Sequence, residues 1–382
     1  MNKMTRPIYI TLLVLGIAAI AAGCTEKAGE KEFNSMEERA MYPFWQGPVV
    51  YDEAFLLLSS EDQHTQVDFL YPPTEIISVK SARLDKEFLR GEDWDFKDGR
   101  FIVMENSSIP VMARDQMYVP EYREADTVPR KDGKGALYFR EDGFFHNLQI
   151  VITYKHSGNW EGPVPVFAGD KLPLTIAKLQ RKEPVKIVLF GDSISVGGNS
   201  SELINEPPYL PIWGKLLVHQ LERAYEHTVQ FVNPSLGGVT AAWGVEQAKL
   251  RAASENADLV IVAFGMNDGS GRILPLDFKR NIQAIVEEIR STKADTELIL
   301  VAPSLANPEA IHSGFQSLYA PVLEEISEAM TGVMTVDMTA VHQELLKHKP
   351  FRDTTANNVN HPNDYLARWH AQIIAGHLIE ND

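Results

Sequence analysis

A chain of 382 residues, 44% hydrophobic and 23% charged, has the composition of a folded water-soluble protein, and its length suits two domains better than one. The formal net charge of −16 argues against a nucleic-acid partner, because phosphate binding calls for a basic surface and the Lys and Arg residues form no dense run. The same acidity disfavours adhesion to anionic lipid, so membrane association is expected to come from an anchor.

At the N-terminus Lys3 and Arg6 precede an apolar run from Ile8 to Ala22, and small residues follow up to Cys24. This is the three-part layout of a secretory signal, and the run falls short of the roughly 20 residues of a membrane span. Cys24 is the only cysteine, which excludes an internal disulfide. The stretch "IAAGC" resembles the lipobox of bacterial lipoproteins. That resemblance implies a signal peptide over 1–23, lipidation of Cys24, and an exported protein held at the cell envelope, on the periplasmic or cell-surface side; a plain signal peptide with a chance cysteine is the alternative. Residues 24–45 read as a polar tether.

Between 46 and 170 the apolar residues come in strand-length runs, such as "VVYDEAFLLL", "TEIISVKSARL" and "LQIVITYKH", broken by "GED", "KDG" and "EDG". The pattern predicts an antiparallel β-sandwich, jelly-roll-like in its many short strands. Residues 171–184 read as a linker.

From 185 to 382 the texture changes to alternation. "VKIVLF", "VQFVN", "ADLVIVAFG", "ELILVAP" and "VMTVDM" are continuous apolar strands, separated by segments with helical spacing. Strands buried on both faces and alternating with helices predict an α/β domain with a mostly parallel sheet. In such sheets reactive groups gather beyond the C-terminal ends of the strands.

Those ends carry four short signals. The first strand runs into "GDSIS", with Ser193; the second into "NPSLGGVT", with Gly237 and Gly238; the third into "GMND", with Asn267; and the terminal loop carries His361 in "NNVNHPND". Together, and in this order, they resemble the SGNH (GDSL-type) serine hydrolases, whose blocks they match at Ser193, Gly238, Asn267 and His361. The resemblance implies Gly238 over Gly237, because the family pattern keeps this glycine five residues after an asparagine, here Asn233, and two before a Thr or Ser, here Thr240. The resemblance covers about 185–382 and implies a three-layer α/β/α fold. Sequences with a β-sandwich ahead of such a domain are familiar among carbohydrate esterases.

The chemistry accounts for these residue types. A serine hydroxyl attacks an ester only when a neighbouring imidazole takes its proton, so Ser193 needs His361. The backbone N–H groups of Ser193 and Gly238 and the amide of Asn267 are candidate donors to the oxyanion. Asp192 and Asp268 read as structural. Three residues before the histidine the family keeps an aspartate, and this chain has Asn358. An amide oxygen can orient an imidazole but cannot balance its charge. Asn358 is the expected orienting residue; a backbone carbonyl, Asp353 or Asp364 are alternatives, as is a domain that no longer turns over.

No cofactor or metal is implied. His219, His342, His370 and His377 lack metal-ligand spacing, and no phosphate-binding glycine loop with its lysine is present. Trp213 and Trp243 are expected to pack in the core. The reading is an exported serine esterase, anchored to the membrane through Cys24, that removes short acyl groups, chiefly acetyl, from a carbohydrate. A lipase, thioesterase or acyltransferase of the same fold, and a non-catalytic carbohydrate-binding lipoprotein, are the rivals.

Overall fold

Five apolar runs of four to seven residues build the central sheet: β9 (Val185–Gly191), β10 (Val229–Val232), β11 (Leu259–Ala263), β12 (Glu297–Ala302) and β13 (Val333–Asp337), numbered after eight strands of the N-terminal region. A computed structural model describes residues 31–59 and 67–380 of the chain. The expected signal peptide and Cys24 lie outside these residues. The strand order is β10-β9-β11-β12-β13, and every pairing is parallel. Side-chain alternation sorts the sheet into two faces. Ile187, Leu189 and Ile261 point toward a layer that includes helices Trp213–Tyr225 and Asp364–Leu378. Val188, Phe190 and Val262 point toward helices Ala241–Arg251 and Pro275–Thr292. The result is a three-layer α/β/α domain, as the alternating pattern requires.

The chain leaves β9 toward β10 on one side and reaches β11 on the other, which makes the C-terminal end of β9 a topological switch point where a crevice opens. The two strands end side by side, Ala263 opposite Gly191. A Cβ on Gly191 would stand 2.2 Å from the Ala263 carbonyl oxygen, so this close pairing requires glycine.

The N-terminal region is β-rich, but its strands are distributed differently from the expected sandwich. The strands β1 (Val49–Leu56), β2 (Pro73–Ser81) and β8 (Gln149–His156) form an antiparallel sheet in the order β1-β8-β2. Strands β3 (Trp94–Lys97) and β4 (Arg100–Val103) form a hairpin, and β5 (Tyr118–Val119), β6 (Thr127–Pro129) and β7 (Ala136–Tyr138) form a small sheet in the order β5-β7-β6. The apolar residues of the first sheet do not enclose a core of their own. Phe55, Val79, Ile152 and Tyr154 belong to the same buried cluster as Tyr365, Trp369 and Ile373 of the last helix. The described residues from Phe33 onward accordingly form one compact unit.

Two boundaries shift for the same reason. Part of the expected tether is folded: Ser35 caps a helix at Met36–Ala40, and Phe44 stacks on Trp369 with ring centroids 5.0 Å apart. The expected linker contains the helix Pro173–Gln180, which buries Leu172, Ile176 and Leu179. Proline at its first turn is compatible with a helix start, and the Glu297 carboxylate accepts from Leu174 N at 2.9 Å and Thr175 N at 2.7 Å.

Candidate active site

The nucleophile candidate sits on the first turn after β9. Asp192 caps the short helix Ser193–Val196, its Oδ1 accepting from Ile194 N at 3.0 Å, and Gly197 closes that helix in the left-handed conformation at φ 91°. Burial, with the nearby Asp268 adding to it, raises the Asp192 carboxyl to about 7. The turn is held from two more sides. Trp213 Nε1 donates to Ile194 O at 2.9 Å, and Asn233 Nδ2 donates to Ser195 O at 2.8 Å. Trp213 is thus a core residue that also supports the nucleophile turn.

His361 reaches Ser193 from the opposite end of the chain. Its Nε2 lies 2.9 Å from Ser193 Oγ, within hydrogen-bond reach. Burial pushes the imidazole down to about 4, so the ring is neutral near pH 7 and able to accept a proton. Its loop is shaped by Asn357, whose Oδ1 accepts from the backbone N–H of Val359, Asn360 and His361, each at 3.0 Å.

The glycine loop after β10 forms the wall beside Ser193. Ser235 ties it to β9, accepting from Gly191 N at 2.9 Å and donating to Leu189 O at 3.1 Å. Gly238 has φ +75°, a region that favours glycine, and a Cβ on Gly237 would lie 3.7 Å from that of Ser193. Leu236, Gly237 and Gly238 are exposed. Asn267, on the short helix Met266–Ser270 after β11, donates from Nδ2 to Val239 O at 2.8 Å, which fixes the amide against the glycine loop. Asp268 beside it is buried and accepts from Ala241 N at 3.1 Å, holding the start of the helix Ala241–Arg251. An amide nitrogen carries two hydrogens, so Asn267 retains one for a developing oxyanion.

The orienting contact on His361 differs from the sequence expectation. Nδ1 lies 2.5 Å from Asn199 Oδ1. Asn358 is turned away from the ring: its Nδ2 donates to Tyr138 O at 2.9 Å, and its Oδ1 accepts from Asn307 at 3.2 Å. Its amide is engaged with β7 and with the Asn307 loop, and its backbone is left-handed at φ +66°. The two alternative carboxylates are engaged elsewhere, Asp353 Oδ1 with Leu56 N at 2.9 Å and Asp364 Oδ1 with Ser201 N at 3.0 Å. Asn199 went unnoticed in the sequence because it lies outside the family blocks. Its available signal was the run "GGNSS", glycines followed by a residue that tolerates left-handed φ.

Residues 189–369 match the GDSL-like Lipase/Acylhydrolase family, a span that includes Ser193, Gly238, Asn267 and His361. This part of the chain is similar to the GDSL-type acylhydrolases. The esterase TesA of Pseudomonas aeruginosa is 27% identical over 148 residues, 38% of this chain and 68% of that protein. A solved two-domain esterase active on acetylated mannans aligns with a TM-score of 0.46 and 21% identity, over 57% of this chain and 54% of its own. The acetylxylan esterase Axe2 of Geobacillus stearothermophilus aligns with a TM-score of 0.42 and 18% identity, over 52% of this chain and 97% of its own. The chain thus spans about half the length of the two-domain esterase. The GDSL domain is a carboxylic ester hydrolase.

Proposed function

We propose that the chain is an exported serine esterase that removes acetyl or comparably short acyl groups from a carbohydrate, held at the envelope by a lipid on Cys24. The observation that carries the catalytic part is the hydrogen bond of 2.9 Å between Ser193 Oγ and His361 Nε2. As Ser193 Oγ attacks the ester carbonyl, His361 takes its proton. The N–H groups of Ser193 and Gly238 and the amide of Asn267 receive the oxyanion. Collapse expels the alcohol, which takes the proton back from His361, and leaves an acyl-serine. Water, deprotonated by the same histidine, then releases the acid.

The preference for short acyl groups draws support from the surface beside the nucleophile. Leu236, Gly237 and Gly238 are exposed there. A long acyl chain gains about 0.8 kcal/mol per methylene only where an apolar groove buries it. A bulky sugar alcohol, in contrast, can approach an open surface. The carbohydrate part rests on the sequence resemblance to esterases that carry a β-rich domain ahead of the SGNH domain, and the anchored location rests on the N-terminal sequence.

Acetate release from acetylated xylan, mannan and peptidoglycan, with Ser193→Ala as control, tests the reading. Activity on a glycan that Ser193→Ala abolishes is the expected result. Cleavage of long-chain aryl esters with no acetate released from any glycan would turn the assignment toward a lipase or thioesterase.

A further inference from the structure

We propose that Asn199 is the positioning residue of the catalytic base, supplied by the nucleophile's own loop, and that Asn358 fastens the β5–β7–β6 sheet to the histidine loop instead. The inference rests on the reading of Ser193 and His361 as nucleophile and base.

Among the described residues Asn199 Oδ1 is the side-chain partner of His361 Nδ1, at 2.5 Å. With the amide in this orientation its oxygen can only accept, so Nδ1 carries the ring hydrogen and Nε2 presents its lone pair to Ser193 Oγ. That tautomer is the one a general base requires.

Two unfavourable features meet at this residue, and the second points to a function. Asn199 holds φ +62°, a conformation that non-glycine residues seldom adopt. Its Nδ2 is buried and has no hydrogen-bond partner among the described residues, an omission that commonly costs about 1–3 kcal/mol. The left-handed backbone is shared with Asn358, which serves the fold, so it is the unpartnered buried amide that marks Asn199, since unsatisfied groups of this kind collect at sites that touch the chemistry.

The surrounding loop holds the amide in register with both ends of the dyad. Gly198 N donates to Ser193 O at 2.8 Å, so the loop starts from the nucleophile turn. Ser201 N donates to Asp364 Oδ1 at 3.0 Å, three residues beyond the histidine. Asn199 is thus clamped between the segment that carries the nucleophile and the one that carries the base.

The carboxylates on those same elements serve other partners. Asp192 caps the nucleophile helix, and Asp364 holds Ser201. Asp353, before the histidine loop, binds Leu56 N and lies 3.5 Å from the Lys349 ammonium. The base is therefore oriented by a neutral oxygen, which fixes its geometry without balancing the charge that it gains in the transition state.

Asn358 has a different set of partners. Its bond to Tyr138 O joins the histidine loop to β7, and Val359 packs with Val128 and Leu137 of the small sheet. The loop at Asn307 completes the junction: Asn307 Nδ2 donates to Asn358 O at 2.7 Å, and Ile311 N to Pro129 O at 3.0 Å.

The test compares Asn199→Gly, Asn199→Asp and Asn358→Asp on a soluble aryl acetate, with circular dichroism to report folding and Ser193→Ala as control. Asn199→Gly suits the left-handed backbone and deletes the amide. It should lower kcat on the order of 10²-fold while KM changes little. Asn199→Asp should move the acidic limb of the kcat/KM profile upward by about one pH unit or more, through a carboxylate beside the imidazole. Asn358→Asp should leave that limb in place. The proposal is overturned if Asn199→Gly retains kcat within about twofold of the parent, well under the loss typical of a misplaced base, or if Asn358→Asp moves the limb and Asn199→Asp does not. Should Asn199→Gly fail to fold, the two aspartate variants decide. Full activity in Ser193→Ala would instead remove the reading of the site on which the proposal rests.

Discussion

Gly198 lies flush against the imidazole of His361: a Cβ at position 198 would stand 2.9 Å from Cε1 and 3.0 Å from Nδ1 of the ring. Either the ring or the loop has to move to admit it, and the Ser193–His361 hydrogen bond depends on both. A displacement near 1 Å in a catalytic group can cost about 10²-fold in rate. Gly198→Ala is therefore expected to lower kcat by about that factor, with slower labelling of Ser193 by a fluorophosphonate and a melting temperature lowered by a few degrees, as overpacking of about 1–3 kcal/mol implies. Undiminished labelling would show that the loop absorbs the methyl group.

The pH profile should reflect a buried histidine with a neutral partner. Catalysis requires the unprotonated ring, and burial pushes His361 down to about 4 from the ordinary 6.5. The neutral form then persists as pH falls, so kcat/KM should hold through pH 5 and decline near about pH 4. Stability follows the same titration. The unfolded chain takes up the proton first, so this residue's contribution is full above about 6.5 and is lost progressively as pH drops toward about 4. Initial rates between pH 3.5 and 8, with intrinsic fluorescence recorded alongside, separate the two effects. An acidic limb at pH 6 or above in folded protein would mean that a carboxylate acts on the ring or that protonation of Asp192, raised to about 7, disturbs the nucleophile turn.

The α/β domain was legible because its central strands β9, β11 and β12 are buried on both faces and its long helices carry an apolar stripe, patterns that local sequence carries. Ser193 and His361 were legible because short motifs mark strand ends. The role of Asn199 was not, because it depends on a left-handed backbone and on a contact with a residue 162 positions away. The N-terminal strands were visible as strands, but their assembly was not. Val79, Ile152 and Tyr154 alternate as a sandwich strand would, and nothing local reveals that their buried face meets the last helix instead of a second sheet. The short helix around Ala40 was hidden by charge, since Glu37, Glu38 and Arg39 outnumber the apolar residues that anchor it.

Replacing Asn358 by aspartate would restore the residue type that the SGNH pattern places before the histidine, yet the structure argues against any gain. The Nδ2 of Asn358 donates to Tyr138 O at 2.9 Å in a buried setting, and a carboxylate there would have no hydrogen to donate. The carbonyl would lose its partner, and a charge would be buried beside it. Losing one buried hydrogen bond in this way costs about 1–3 kcal/mol, more where a charge is involved. Asn358→Asp should therefore lower the urea midpoint without raising kcat. A variant both more active and as stable would restore Asn358 as a residue acting on the ring.

The union of the N-terminal sheet with the GDSL domain can be measured at one buried ion pair. Lys349 Nζ lies 2.5 Å from Glu53 Oε1, with both side chains at 0% exposure, and the ammonium sits 3.7 Å above the Phe55 ring. Glu53, on β1, also accepts from Leu70 N at 2.9 Å and from the Tyr154 hydroxyl at 2.5 Å. Removing one partner of such a pair strands the other charge, which typically costs about 3–5 kcal/mol. Lys349→Met should lose about that much in urea unfolding. The double variant with Glu53→Gln should recover part of the loss, because a neutral amide oxygen can still accept from Leu70 N and Glu53 no longer leaves a stranded charge; recovery is partial because Asp353, 3.5 Å from Lys349, also loses that cation. Tryptophan fluorescence and far-UV circular dichroism should report one coincident transition in the parent, since Phe44, Tyr154 and Trp369 share a core with the strands on both sides of residue 171. Two separated transitions, or a loss under about 1 kcal/mol in Lys349→Met, which is the range of an exposed pair, would mean that the sheet and the GDSL domain fold independently of this contact.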